Sequence, residues 1–377
     1  MDKNAIKKYA VWARNELIAR VTQKAQQYGI TETDIIDANA DSINGKLLTD
    51  TEKKQRQALI KKIKEENFEQ VMEEVAYTWF NRFTALRFME VNNYLPSHTR
   101  VFTNEANEFK PQILADAISL DLDGLDMDKV YELKDANKNE ELYKYLLIVQ
   151  CNALNRILPV MFQKIDDYTE ILFPDNLLRT GSVIEKMVSD IAEKDWEEAV
   201  EIIGWLYQFY IADPKDELIN AKKQYKLKDV PFVTQIFTSD WIVKYMVENS
   251  LGRLWAETGA EISSMNWEYF LTPSVVEYQN NTVDPKEIKI IDPCMGSGHI
   301  LVYAFDVLMQ IYQQYGYGAN EAAENILKYN LYGMDISERA YQLAYFSVMM
   351  RARKYSRSVL RKQIRPNIHL LDPIYIY

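Results

Sequence analysis

Glycine and proline are scarce in this chain, 12 and 11 among 377 residues. So few turn formers favour a helix-rich fold. Cysteine is scarcer still: Cys151 and Cys294 are the two there are, too far apart in sequence for a CxxC redox pair or half of a zinc site. No run approaches the ~18 apolar residues of a transmembrane helix. The opening MDKNAIKKYAVWARNEL is charged and lacks the apolar core and small-residue cleavage site of a signal peptide. A cytoplasmic location with no membrane follows by elimination. Positive charge is in deficit too. The net charge of -11 argues against a nucleic-acid footprint over the whole surface. No fixed-period repeat and no long low-complexity tract is present.

Apolar residues make up 47% of the chain and charged residues 26%, an ordinary balance for a soluble globular protein with a sizeable core. One domain per ~150 residues gives two or three domains. The charge is unevenly spread. Residues 104–141 hold eleven acids and four lysines. Residues 351–365 hold seven basic residues and no acid: Arg351, Arg353, Lys354, Arg357, Arg361, Lys362 and Arg365. That run is either a local anion-facing patch or a solvated helix face. The acidic stretch from Asp121 to Asp128 is not an EF-hand loop, because Gly124 arrives two positions too early.

The first ~230 residues read as helices. Thr49 to Tyr94 is the longest candidate, with Phe68, Val71, Met72, Val75, Trp79, Phe83 and Leu86 on one apolar stripe. Asn139 to Ile157 is a second, closed by Pro159. Ser182 to Ile211 is a third, stopped by Asp213-Pro214. After that the character changes. Glu287–Ile291 reads as a buried strand, His299–Tyr315 as a helix, and Leu331–Met334 as a second strand ending at Asp335. Ser337 suits the N-cap of the next helix, with Ala340 in line to be capped. Strand, helix, strand and helix in that order indicate a parallel α/β sheet. The expected organisation is therefore a mainly α domain over residues 1–230 and an α/β Rossmann-like domain over 231–377.

The strand-turn-helix at 287–315 is the sharpest feature. Ligands of open α/β sheets sit beyond the carboxyl ends of the strands. Gly296, Ser297 and Gly298 let a ligand approach the backbone, and the helix N-terminus beyond them offers N–H groups to an anion. A Rossmann dinucleotide fingerprint wants a third glycine where Leu301 stands, and a P-loop wants Lys-Ser/Thr where His299-Ile300 stand. The nucleotide-phosphate readings are poor. Cys294 and His299 flank the glycines without a partner set at metal-ligand spacing, so they read as lining the loop, with no metal.

The wider string Asp292-Pro293-Cys294-Met295-Gly296-Ser297-Gly298 resembles motif I of the N6-adenine DNA methyltransferases. Asp335, followed by Ile336, stands where that family places an acid on the ribose hydroxyls of S-adenosylmethionine; taken alone, it is equally a helix-capping acid. Upstream, Phe237-Thr238-Ser239-Asp240-Trp241-Ile242 resembles motif X, with Ser239 where proline is usual. In the family this segment packs beside the methionine end of the cofactor. The order X, I, II is that of the γ-type enzymes. Over residues 1 to about 367 the chain is similar to the N-terminal part of the PglX-type adenine methyltransferases of BREX phage-defence systems. The stretches TQIFTSDWIVKYMVENSLGRLW, IIDPCMGSGHILVYAFDVL and NLYGMDISERAYQLAYFSVMMRARKYSR carry that similarity. It implies methyl transfer from S-adenosylmethionine to the N6 amine of adenine in a DNA site, with the base flipped out.

The family's catalytic Asn/Asp-Pro-Pro-Tyr/Phe motif is missing, since the sequence has no Pro-Pro pair. Asp372-Pro373-Ile374-Tyr375 is the nearest look-alike. Asp372 is either a motif III acid for the cofactor adenine or part of the tail of an interrupted reading frame. The expectation is a truncated enzyme that keeps the cofactor site, without catalytic residues or a target-recognition domain. Two rivals remain open. One is an interaction module that docks subunits of a defence complex or an acidic phage inhibitor. The other is a methyltransferase acting on RNA or protein.

Overall fold

The computed structural model describes residues 1–165, 167–221, 224–225, 229–272 and 283–371. Two compact units divide the chain, Met1–Ala199 and Val200–Tyr377.

The first unit is helical. Helix α1 (Lys3–Gln27) starts at Asp2, whose carboxylate accepts the N–H groups of Asn4 and Ala5. It buries Ile6, Tyr9, Ala13, Leu17, Val21 and Ala25, at three- and four-residue steps. A short hairpin follows, β1 (Ser42–Ile43) with β2 (Lys46–Leu47). The expected long helix over 49–94 is two helices, α2 (Asp50–Glu65) and α3 (Phe68–Val91). The break has a local cause: Asn67 takes an extended backbone, and its side chain accepts the Gln70 N–H, capping a new helix. α2 has its own capping box between Thr49 and Glu52. The aromatic stripe of α3 is core: Trp79 meets Phe173 edge-on at 4.0 Å between ring centroids. A buried pair, Arg87–Glu90, closes its last turns, with Glu90 also accepting the N–H groups of Val101 and Phe102. The longer helices that follow are α4 (Met127–Asp135), α5 (Asn139–Asn155) and α6 (Val183–Asp190), with single helical turns at Gln112–Ala115 and Tyr168–Ile171.

The third expected helix, 182–211, is broken. α6 stops at Asp190, a single 3-10 turn spans Glu193–Asp195, and the helix resumes only as α7 (Glu201–Tyr210). α7 ends before Asp213-Pro214 as expected, with Ile211 as its C-cap, since Pro214 has no N–H to donate to the Tyr210 carbonyl. A new helix, α8 (Ala212–Asn220), opens at once, and Pro214 sits in its first turn, where no intrahelical N–H bond is lost. The expected domain boundary lies near residue 230, whereas the two compact units divide after Ala199. The cause is α7, which packs inside the second unit: Gly204 lies against Phe237, and Arg351 bonds Glu201 at 2.5 Å.

In the second unit, α9 (Asp240–Val247) precedes a three-stranded sheet of β3 (Ile290–Asp292), β4 (Leu331–Asp335) and β5 (Asn367–Leu370). All pairings are parallel, with Asp292 opposite Gly333 and Asp335 opposite Leu370. Helices α10 (His299–Gln314) and α11 (Glu338–Tyr355) link the strands. The expected strand 287–291 begins later, because Asp284 caps a 3-10 turn over Pro285–Glu287. Gly333 has no side chain where Met295 and Leu301 press on the sheet; a Cβ there would lie 2.6 Å from the Met295 sulfur. Among the described residues, no helix is long and apolar enough to cross a membrane.

Candidate functional site

The carboxyl ends of β3 and β4 meet at the glycine turn. The Met295 N–H donates to the Met334 carbonyl at 3.0 Å, which carries the strand pairing past Asp292. Gly296 and Gly298 both take left-handed backbone, φ 53° and 82°. Gly298 also abuts α11, where a Cβ would stand 3.0 Å from the Cα of Ala344. The turn closes with the Gly298 N–H on the Met295 carbonyl at 2.8 Å, and α10 starts at the next residue. Its first N–H groups point out of the helix without intrahelical acceptors.

Asp335 joins the turn to β4. Its Oδ2 accepts the Gly296 N–H at 2.9 Å and its Oδ1 accepts the Ser337 N–H at 2.8 Å. The cap of α11 is Ser337 itself, whose hydroxyl accepts the Ala340 N–H at 3.4 Å. Asp335 therefore does not cap that helix; it holds the turn in place. Each carboxylate oxygen keeps a second lone pair, and the residue is half-exposed beside exposed Ile336. Asp292 is buried and accepts the Cys294 N–H at 3.1 Å. Burial pushes its carboxyl above the usual range; the Cys294 bond opposes this and the nearby Asp335 charge adds to it. Pro293 and Cys294 are exposed, and Ser297 is buried.

The Phe237 segment reaches the same turn. The Phe237 ring is buried between Trp205, at 4.3 Å, and the imidazole of His299, stacked at 4.5 Å. His299 Nδ1 lies 3.0 Å from the Thr238 carbonyl oxygen. Burial pushes the His299 pKa down, and the neighbouring Arg351 does the same; Glu201, the Thr238 carbonyl and Asp240 oppose them. The structure thus brings Phe237, Thr238, Asp292, Gly296, Ser297, Gly298, His299 and Asp335 into one region. Asp372 lies outside the described residues. Sequence reasoning missed Gly204, whose missing Cβ makes room for the Phe237 ring and for Ser297 Oγ. Its signal was present, as a lone glycine inside an apolar helical run.

The basic run does not form one patch. Arg351 is buried, paired with Glu201 at 2.5 Å and Asp306 at 3.5 Å. The run's spacing on α11 turns this residue inward, so it is removed from the expected nucleic-acid face. Lys354, Arg357, Arg361, Lys362 and Arg365 are exposed and Arg353 is half-exposed, with Lys362 bonded to Glu324 at 2.6 Å. Among the described residues, no group of three or more His, Cys, Asp or Glu is placed to hold a metal ion.

Residues 255–364 match the family model described as N-6 DNA Methylase. The chain is 41% identical over 98% of its length to an adenine-specific methyltransferase PglX of Lacticaseibacillus casei, covering 34% of that protein. It is 38% identical, again over 98% of its length, to an adenine-specific methyltransferase BrxX of Escherichia coli, covering 32% of it. A putative type II restriction enzyme and methyltransferase of Methanocaldococcus jannaschii is 25% identical over 43% of the chain. Over nearly its whole length, then, the chain is similar to adenine-specific methyltransferases, in keeping with the resemblance its motifs carry. It spans about a third of the length of the first two relatives.

Proposed function

We propose that residues 200–371 hold S-adenosylmethionine for a DNA adenine-N6 methyltransferase of a phage-defence system, in a Rossmann-like methyltransferase fold. The observation that carries this is the bond between Gly296 and Asp335. It sets a half-exposed carboxylate at the carboxyl end of a parallel sheet, directly beside a turn of two left-handed glycines. The donor set suits the cofactor. Asp335 has lone pairs left for two vicinal ribose hydroxyls, and the α10 N-terminus suits the methionine carboxylate. Gly296 and Gly298 keep side chains out of the approach, and Thr238 borders the turn through its carbonyl. Cys294 and Ile336 are exposed at the rim of the site. Bound there, the cofactor supplies an activated methyl group that an amine attacks in line. None of the chain's residues is needed as a nucleophile.

In this reading the methyl transfer itself belongs to chains of the length of the relatives named adenine-specific methyltransferases. With no Pro-Pro pair, these 377 residues lack the motif that grips a flipped adenine. They bind the methyl donor without methylating DNA. Calorimetry tests the first statement: wild-type chain binds S-adenosylmethionine and Asp335→Ala loses the binding. A folded wild type that releases no heat with the cofactor refutes it. Methyl incorporation into DNA by the pure chain refutes the second. In the same reading DNA is the partner, approached through parts outside this chain and through the exposed cations after residue 353.

A further inference from the structure

His299 immediately follows the glycine turn, yet its ring is directed to another segment. It is buried, its Nδ1 lies 3.0 Å from the Thr238 carbonyl, and its face stacks on Phe237 with an angle of 15° between the planes. A carbonyl can only accept, so Nδ1 carries the proton. On the far side of the ring, Nε2 stands 3.8 Å from Asp240 Oδ1. Phe237 is backed in turn by Trp205, and Gly204 supplies the space in which its ring lies. One imidazole therefore spans two chain segments 61 residues apart.

We propose that His299 is a positioning residue: it fastens the Phe237–Asp240 segment to the glycine turn and so sets the gap that receives the methionine end of the cofactor. The inference rests on the cofactor reading above but assigns His299 a different place from a lining residue. It acts through Thr238 and Phe237. The two contacts have separable chemistry, a hydrogen bond to a backbone oxygen and a ring stack. Asparagine at 299 keeps a donor close to the Nδ1 position and gives up the stack; alanine gives up both.

Two measurements on the full chain test this, amide hydrogen exchange over 236–243 without cofactor and calorimetric titration with S-adenosylmethionine. In His299→Ala, exchange over 236–243 quickens about tenfold while β4 and α11 keep wild-type protection. Cofactor affinity falls about tenfold, the size expected for one hydrogen bond plus one ring contact. His299→Asn recovers at least half of each loss on a logarithmic scale. Unchanged exchange in His299→Ala overturns the proposal, and so does an asparagine variant no better than alanine. General loss of protection in both variants overturns it too, since His299 is then a fold residue. If wild type binds no S-adenosylmethionine, the cofactor reading fails, and the exchange measurement alone still decides whether His299 fastens the segment.

Discussion

Gly204→Ala is the sharpest perturbation the structure offers. Residue 204 lies in the buried middle of α7, where alanine is intrinsically the better helix former by about 0.8–1 kcal/mol. On helix propensity alone the substitution stabilises. The surroundings reverse the sign. An alanine Cβ would lie 2.2 Å from Phe237 Cε2 and 2.8 Å from Ser297 Oγ, where ordinary contact begins at 3.4 Å. The ring has to move by more than 1 Å, and it is held between Trp205 and His299. Overpacking of this kind costs about 1–3 kcal/mol, so the net loss of stability is about 1 kcal/mol. The functional loss is larger, because the displaced atoms belong to Phe237 and to the turn at Ser297. Urea unfolding followed by tryptophan fluorescence gives the stability, and calorimetry gives the affinity for S-adenosylmethionine. Affinity at least tenfold weaker in a chain that is still folded is the expected result. A Gly204→Ala chain with raised stability, as propensity alone demands, and undiminished affinity refutes the reasoning.

Arg351→Ala strands Glu201 and Asp306 in a mostly buried setting and destabilises the chain by about 2 kcal/mol, below the usual range for a buried pair because both acids are partly exposed. A lower urea midpoint checks it, and unaltered stability with weaker DNA affinity would return Arg351 to the basic face. Alkylation at pH 8 modifies exposed Cys294 and spares Cys151, whose thiol burial pushes up to about 12; S-adenosylmethionine slows the Cys294 reaction severalfold. Mass spectrometry reads this, and equal rates with and without cofactor place Cys294 away from the ligand. Because burial depresses the His299 pKa below 6.5, the unfolded chain binds the extra proton first. Stability is therefore fully present above pH 6.5 and declines as pH falls toward the folded pKa. His299→Asn lacks that part of the decline when unfolding free energies are compared from pH 7.5 to 5. Parallel curves for the two proteins contradict it.

The helical first unit was readable wherever burial alone decides. The Phe68–Leu86 stripe is a 3.6-residue pattern, and every residue it names from Val71 on is buried. Breaks were not readable from periodicity, because they are made by polar side chains bonding locally. Asn67 takes the Gln70 N–H and splits one expected helix in two. Asn44-Gly45, with φ of 51° and 81°, turns the β1–β2 hairpin; the dipeptide is a hairpin signal, but strands of two residues each carry no alternating pattern beside it. β5 was missed for a related reason. Its four residues, Asn-Ile-His-Leu, carry little β pattern, and they become a strand by pairing with β4, which supplies each partner from 35 residues upstream, as in Tyr332 opposite Asn367.

The site divides along the same line. The placement of Asp292, the glycines and Asp335 was legible because each stands at a strand end or in the turn that follows one, where the local pattern of strand, turn and helix already fixes which way the backbone leads. The contact between Gly296 and Asp335 crosses 39 residues, yet it follows once β3 and β4 are adjacent and parallel. Gly204 and the inward turn of His299 do not follow from any local pattern. They depend on α7 crossing behind the Phe237 segment, and nothing in a helical run of isoleucine, glycine and tryptophan says which segment will lie against its glycine. The legible residues are those a parallel sheet positions by its own geometry. The illegible ones lie where a second segment meets the glycine turn, so under the proposed function substitutions at 204 and 299 test the grip on the cofactor separately from the fold.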